Sequence, residues 1–406
     1  MSMQLPLLNQ QLIKAKNLKT VFSIILDEGG ISRAEIAKRT ALSKPTISSL
    51  VEELIQKNFI VDSGKQQVSN SVGRRPNTLF ALEKQHFIPV VTWTKDKVIA
   101  TLLDIFGTAI DSQELMVTGK EEYTAATKKL FTLVCNRKTV NGTILGCCLI
   151  LPGMIDSAHN TFYSHPLGIH DTNAMSTYEK IHECCSDYPL AVLQDTACYA
   201  YAEKVFANIT EENFAFINFN QGIGASLFIE GRMLGKANGA FTQFGHYSIN
   251  PEGDLCTCGN RGCLENEIGE GSLEHRVPKV PGCKGNRIEQ FGSYKALGTA
   301  VRDGDTIAQQ VLNSLASDFA QALRNLISIV NPSLIILGGR CQNLGASFLA
   351  SVQSSIDAQG FGQMTSHTTI QYTSLDSDSY LKGAVRYFFD MYYEFSDALG
   401  NPIYIG

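Results

Sequence analysis

"QFGHYSINPEGDLCTCGNRGCLE", Gln243 to Glu265, gathers one imidazole and three thiols into a single stretch rich in glycine and proline. Gly253, Gly259 and Gly262 are free to make tight turns, and Pro251 separates His246 from the cysteines, so the stretch reads as a loop. Thiolates and imidazoles bind zinc tetrahedrally, and a closed set of four such ligands marks a structural site. His246, Cys256, Cys258 and Cys263 form such a set, with the cysteines spaced C-x-C-x4-C. The expectation is one structural Zn2+ per chain, held by residues 246–263, with local unfolding of the loop if any ligand is lost. The spacing differs from the paired C-x2-C of a zinc finger, and free cysteines or a redox pair have the same composition.

Working outward, the chain has 406 residues, enough for two or three cores. Its net charge of -5 excludes a molecule that is basic throughout. Up to Leu82, however, eleven basic residues face six acidic ones, so this head is net +5 on an acidic body. Such a split points to a head that meets a polyanion. No apolar run approaches the roughly 20 residues of a membrane span. The stretch "MSMQLPLLNQQLIKAKN" lacks the apolar run of a signal peptide. Eleven cysteines, an odd number with apolar neighbours, fit a reducing cytoplasm better than a disulfide framework.

The head predicts three helices and a wing. "LKTVFSIILDEGG" reads as a helix of about three turns that stops at Gly29-Gly30. "SRAEIAKRTAL" is a short helix capped by Ser32, with Glu35 completing a capping box and Ala34, Ile36, Ala37 and Leu42 turned inward. "SKPTISSLVEELIQKNF" starts at a Ser43 cap with Pro45 in its first turn, and Ile47, Leu50, Val51 and Leu54 make an apolar stripe. Lys44, Thr46, Ser48 and Ser49 then lie on the exposed front, where small polar residues suit a major groove. "FIVDSG" and "TLFAL" are β-prone runs around "SVGRRPNT", whose Arg74 and Arg75 can reach phosphates or a narrow minor groove. The reading is a winged helix-turn-helix over 1–82, joined by Leu82 to Gln85 to a body over 83–406.

The body alternates strand and helix patterns. Phe87 to Ile110 reads as a hairpin series, and Asn213 to Leu234 repeats it. Each is followed by strand–helix units, which suggests a duplicated α/β fold of two lobes. Ligands in open α/β sheets bind at strand carboxyl ends. Asp195, Gly222–Gly224 and Gly338-Gly339 fall at such ends.

Two segments carry a specific resemblance. Gln243 to Glu265 is similar to the zinc-site signature of the ROK family, which contains bacterial sugar-responsive repressors and sugar kinases. "SRAEIAKRTALSKPTISSLVEELIQKNFIV", with its trailing "GRRP", resembles the operator-binding head of the repressor branch, which includes xylose and N-acetylglucosamine repressors. The resemblance covers nearly the whole chain. It implies an actin-like, RNase H-like body, assembly as a homodimer or homotetramer, double-stranded operator DNA as partner, and a sugar or sugar-phosphate effector. A sugar-transport protein is a further partner seen in the family, and no membrane contact is expected.

The resemblance also implies site residues. The family's E-x-G-H segment stands here as Gln243-Phe244-Gly245-His246, its sugar-binding Glu as Glu265, and its Asn-Asp pair as Gln194-Asp195. Asp195 matches the kinase base, and an N-cap role at a strand–helix junction is its plainer alternative. A carboxamide both donates and accepts where a carboxylate only accepts, so Gln for Glu at 243, like Gln for Asn at 194, departs from the family pattern and the usual sugar preference does not carry over. Kinase relatives carry a D-x-G-G-T turn in the first hairpin. The matching residues 91–96 read Val-Thr-Trp-Thr-Lys-Asp, without the acid or the glycines, so no enzymatic activity is expected and Asp195 is a vestigial base. The alternative is a ROK kinase that phosphorylates a hexose with ATP.

Overall fold

The computed structural model describes residues 4–63, 78–136, 142–207, 209–220, 222–235, 242–281, 283, 288–358, 367–395 and 401–405. The chain divides into two compact units. The first comprises Met1–Ile150, Ser176–Val192 and Val385–Tyr404, and the second Leu151–Met175, Leu193–Ala384 and residues 405–406.

The first unit opens with α1 (Gln4–Glu28), β1 (Ile31–Ser32), α2 (Arg33–Thr40), α3 (Lys44–Gln56), β2 (Ile60–Asp62) and β3 (Thr78–Ala81). The Ser32 and Ser43 caps form as the sequence predicts, while the Glu35 carboxylate, expected to complete a capping box, accepts from Arg39 Nε at 3.0 Å. Ser32 Oγ accepts from the Glu35 N–H at 3.2 Å and Ser43 Oγ from the Thr46 N–H at 3.2 Å. Each cap satisfies a donor that the first helical turn leaves orphaned. Ile36, Ile47, Leu50, Val51 and Leu54 close a core against Leu18, Val21, Phe22 and Ile25 of α1. β3 pairs antiparallel with both β1 and β2, which makes the small winged sheet. Two expectations are corrected. α1 runs 25 residues rather than about three turns, and Ala34 is exposed, on the outer side of α2. The segment after the wing is no loose tether either. The Leu82 N–H donates to Phe59 O at 2.9 Å, and buried His86 stacks on Phe59 at 3.8 Å.

Next come β4 (His86–Trp93), β5 (Lys97–Asp104), β6 (Ala109–Met116), α4 (Glu122–Cys135), β7 (Thr143–Ile144) and β8 (Cys147–Leu151). β4, β5 and β6 form an antiparallel meander, and β8 runs parallel to β4. A three-stranded sheet of β9 (Met154–Asp156), β10 (Thr161–Ser164) and β11 (Ile169–Asp171) follows, then α5 (Ala174–His182), β12 (Leu190–Gln194) and α6 (Asp195–Phe206).

The second unit repeats the meander. β13 (Phe214–Phe219), β14 (Ile223–Ile229) and β15 (Arg232–Met233) are antiparallel neighbours. After the knot loop come α7 (Leu264–Ile268), α8 (Leu273–Arg276), α9 (Ile288–Phe291), α10 (Tyr294–Arg302) and α11 (Thr306–Val330). β16 (Leu334–Gly339) then runs parallel to β13, and after α12 (Ala346–Asp357), β17 (Thr369–Tyr372) runs parallel to β16. Helix α13 (Ser379–Met391) and β18 (Ile403–Ile405) complete the described chain. Three antiparallel strands followed by a parallel strand beside the first thus occur twice, as the hairpin repeat in the sequence predicts. One face of the second sheet is covered by α11, whose Leu312, Leu315, Phe319 and Leu323 are fully buried. The sustained apolar stripe of this 25-residue helix is buried in one core shared by that sheet, α10 and α12.

Candidate functional site

The knot is assembled by its own backbone before any metal is considered. The Cys256 N–H donates to Asn260 O at 2.7 Å, Gly262 N–H to Asp254 O at 3.0 Å and Ile249 N–H to Gly262 O at 2.9 Å. Gly262 has a φ of +57°, and a Cβ there would collide with Asn250 O, so only glycine closes this turn. The ligand atoms of His246, Cys256, Cys258 and Cys263 all lie within 4.8 Å of one another. Cys256 Sγ is 3.6 Å from His246 Nδ1, and Cys258 Sγ is 3.6 Å from Cys263 Sγ. A tetrahedron with zinc–sulfur bonds of about 2.3 Å has edges of roughly 3.7 Å. The donor set and spacing therefore fit a closed, four-ligand metal site.

The knot leads directly into α7, which carries Glu265. Its Oε2 accepts the Ile223 N–H at 2.8 Å, at the start of β14. A Cβ at Gly222 would meet the Glu265 carboxylate, and one at Gly245 would collide with Ile223 O. The knot thus presses a carboxylate onto the glycine loop, and that loop must be glycine to admit it. Here Glu265 braces backbone, a role the sequence does not announce.

Beside that loop stands the β12–α6 junction. The sequence poses Asp195 as a candidate N-cap. In the structure the cap is Gln194, whose Oε1 accepts the Ala197 N–H at 2.9 Å, and Asp195 is the first helical residue. Asp195 Oδ1 accepts the Thr196 N–H at 2.8 Å. Burial outweighs these hydrogen bonds and pushes the Asp195 carboxyl up to about 6. A Cβ at Gly224 would meet Thr196 Oγ1, so β14 approaches α6 as closely as glycine permits. Asn218, 2% exposed near the end of β13, keeps Oδ1 without a hydrogen-bond partner among the described residues, beside Gly339. Thr196, next to Asp195, meets Gly224, and Glu265 meets Gly222 and Ile223, so the β12–α6 junction and α7 both border the β13–β14 turn. Gln243, next to the knot, is exposed. His246 contributes Nδ1 to the knot itself. Gln221, the remaining residue of the glycine loop, lies outside the described residues.

The hairpin that replaces the D-x-G-G-T turn is filled with side chains. Trp93 is 2% exposed, its Nε1–H donates to Thr127 Oγ1 at 2.8 Å, and its ring lies 4.8 Å from that of Tyr123. The Tyr123 hydroxyl donates toward Thr94 O at 2.6 Å and Lys95 O at 3.0 Å. The turn closes through Thr94 N–H to Lys97 O at 2.9 Å. The turn lacks the glycines that let backbone N–H groups approach a phosphate closely.

On the head, Lys44, Ser48 and Ser49 are exposed along the front of α3. Thr46 is half-buried, with its Oγ1 2.7 Å from Ser43 Oγ, and so belongs partly to the cap. Arg74 and Arg75 lie outside the described residues. Ion pairs sort the remaining cations. Arg33 pairs with Asp62 at 2.6 Å and Glu52 at 3.4 Å, Arg39 with Glu28 and Glu35, and Lys14 with Glu53 at 2.6 Å. Lys38, exposed in the last turn of α2, has no acidic partner among the described residues, and neither has Lys44. Sequence reasoning passed over Lys38. Its position just before the turn into α3 is the signal that could have found it.

Comparison with known proteins agrees with this anatomy. Residues 16–61 match the winged helix-turn-helix DNA-binding model. The chain is 25% identical over 393 residues to a xylose repressor of Caldicellulosiruptor bescii, covering 93% of this chain and 96% of the relative. It is 22% identical to the DNA-binding transcriptional dual regulator NagC of Escherichia coli, covering 91% and 92%. Among solved structures, a ROK family transcriptional regulator described as a homolog of the E. coli MLC protein superposes with a TM-score of 0.78 at 21% identity, covering 92% of this chain and 95% of that one. A ROK family glucokinase from Streptomyces griseus superposes at 0.60 and 20% identity, over 74% of this chain and 98% of its own. These likenesses fix the actin-like fold of the body and the added head. Residues 91–390 match the ROK family model, and with well over half of its length inside that match, the chain belongs to the ROK family.

Proposed function

We propose that this protein is a sugar-responsive, DNA-binding transcriptional repressor of carbohydrate genes and not a kinase. Residues 1–82 read the operator and residues 83–406 bind the effector. The observation that carries the reading is the pairing of a capped winged helix-turn-helix with a first hairpin filled by Trp93. A DNA-reading head stands in a chain whose first hairpin lacks the glycines of a phosphate cradle.

In this reading, Lys44, Thr46, Ser48 and Ser49 face the major groove, and Arg74 and Arg75 meet phosphates or the minor groove. A homodimer or homotetramer presents two such heads to a palindromic operator. The effector, a sugar or sugar phosphate, contacts Asp195, Gln194, Gln243, His246 and Glu265. In this reading Asp195 accepts a hydrogen bond from an effector hydroxyl; the contact of its neighbour Thr196 with Gly224 of the β13–β14 turn supports it. Binding a carboxylate-directed hydroxyl requires Glu265 to keep or exchange its bond to Ile223 N–H. The knot holds one structural Zn2+ per chain, supplying a fixed staple and no chemistry. A cytoplasmic location follows from the thiol-rich knot and the DNA target. A sugar-transport protein is the proposed second partner.

The test is a thermal-shift screen of sugars and sugar phosphates on the purified chain, followed by operator release with each hit. Release with a coupling of roughly 5–150-fold is expected. ATP-dependent phosphorylation of any hexose in a coupled assay overturns the reading.

A further inference from the structure

The head holds six acidic residues, and every one of them is engaged. Glu28 and Glu35 bind Arg39, Glu52 and Asp62 bind Arg33, and Glu53 binds Lys14. Asp27 binds Arg386 of the same compact unit. Such pairs at a surface stabilise little, yet each removes one cation and one anion from the field that a polyanion meets. Lys19 is held as well, with its Nζ donating to Tyr393 O at 2.7 Å. Among the described residues of the head, this leaves Lys16, Lys38, Lys44 and Lys57 as exposed cations without an acidic partner. Their places differ. Lys16 lies midway along α1, and Lys57 closes the far end of α3. Lys44 opens α3, so the length of a 13-residue helix, about 20 Å, separates it from Lys57. Lys38 stands across the short turn from Lys44, in the last turn of α2. It shares the exposed face of α2 with Ala34, one turn earlier. Ala34, read from the sequence as a core residue, leaves only a methyl group on the surface beside Lys38.

We propose that Lys38 is a phosphate contact of the DNA-reading head, and that with Lys44 it grips the duplex backbone where α3 enters the major groove. The proposal rests on the repressor reading above and adds to it a residue that sets register without reading bases. In a helix-turn-helix the first helix crosses the DNA backbone, while the N-terminal residues of the second meet base edges. A lysine at the end of that first helix, uncompensated and beside a small residue, has the reach and the free charge for a phosphate oxygen. Arg33 and Arg39, also on α2, offer more donors, but carboxylates already hold their guanidinium groups. Net charge alone does not single out Lys38. The disposition of the head's acids does. Lys38 also favours the dipole at the end of α2, as any cation in a last helical turn does. That role bears on folding and not on how salt weakens DNA binding.

The test uses the full chain and requires no knowledge of the operator, because phosphate contacts act on any sequence. Binding of two unrelated duplexes of about 40 base pairs is measured by fluorescence anisotropy between about 50 and 200 mM NaCl. Lys38→Ala is expected to lower the slope of log K against log salt by about 0.9 for each bound head, and to weaken both duplexes equally. Lys38→Gln, which keeps most of the stem and loses the charge, should match it, and Lys38→Arg should restore the slope. Lys57→Ala, at the far end of α3, should leave the slope as it is. An unaltered slope in both neutral variants, or an equal loss in Lys57→Ala, overturns the assignment while duplex binding by the unaltered chain leaves the repressor reading standing. Weakening that differs between the two duplexes also overturns it, because a base contact would then be the cause. If the unaltered chain binds neither duplex, the assignment and the repressor reading fall together.

Discussion

The two meanders share one topology and end in opposite chemistry. The β4–β5 turn of the first is glycine-free, and Trp93, Thr127 and Tyr123 fill and tie it. The β13–β14 turn of the second keeps Gly222 and Gly224, and it is held by Glu265 and approached by Thr196. The strand order is therefore a frame, and the residues at strand ends decide what it holds. Where Glu265 and Thr196 crowd the backbone, glycine stands. Beside the first turn, an aromatic ring packs on α4 and makes a buried hydrogen bond.

The sharpest way to break this comparison is through the knot, which holds Glu265 against the second turn. Cys263→Ser is expected to cost more than roughly 100-fold in metal affinity, beyond the effect of outer-shell changes. Zinc content after dialysis measures it, and faster proteolysis within residues 246–263 should accompany it. Full metal retention would mean that Cys263 is not a ligand.

Next in size is Gly245→Ala. The added Cβ must displace the Ile223 carbonyl, so a loss of about 1–3 kcal/mol in urea unfolding is expected. A neutral result would show that the glycine loop is not clamped as described.

The Asp195 carboxyl sharpens the comparison through pH. Its folded pKa, about 6, lies above the ordinary value of 3.8. The folded state therefore holds the proton more tightly than the unfolded chain, so this group favours folding at low pH. That contribution declines as pH rises from about 4 through 6, and roughly 2–3 kcal/mol is at stake. Asp195→Asn should flatten the decline. An effector that donates a hydroxyl to the ionised carboxylate should bind more weakly as pH falls below about 6, approaching tenfold per unit. Titration calorimetry at pH 5 and pH 7 checks this.

The smallest effect belongs to the first turn. Trp93→Phe keeps the ring and removes the bond to Thr127, for about 1 kcal/mol. A modest fall in Tm, with no gain of ATP turnover, is expected. Gain of turnover would mean that the indole alone had closed a working cradle.

Much of this anatomy is legible in the residues themselves. The Ser32 and Ser43 caps, the buried stripe of α3, the hairpin repeat and the four knot ligands all appear where the sequence places them. Each depends on neighbours within a few positions, or on a period of two or 3.6, and so is written locally. Other features were not. Gln194, and not Asp195, caps α6, because Oε1 reaches the third residue on only at the angle at which β12 delivers it. Lys38 gains its place among the unpaired head cations only because Arg33, Arg39 and Lys14 are held elsewhere.

By itself the sequence determined the helices of the head with their Ser32 and Ser43 caps, the four residues of the thiol–imidazole cluster and the loss of the glycines from the first hairpin turn. These follow from local propensity and from the presence or absence of particular side chains. Only the tertiary structure decided that Glu265 braces Ile223, that Trp93 donates to Thr127, and that Arg386 clasps Asp27 across 359 positions of chain. Such contacts depend on where packing brings distant backbone together, and no local pattern encodes that distance.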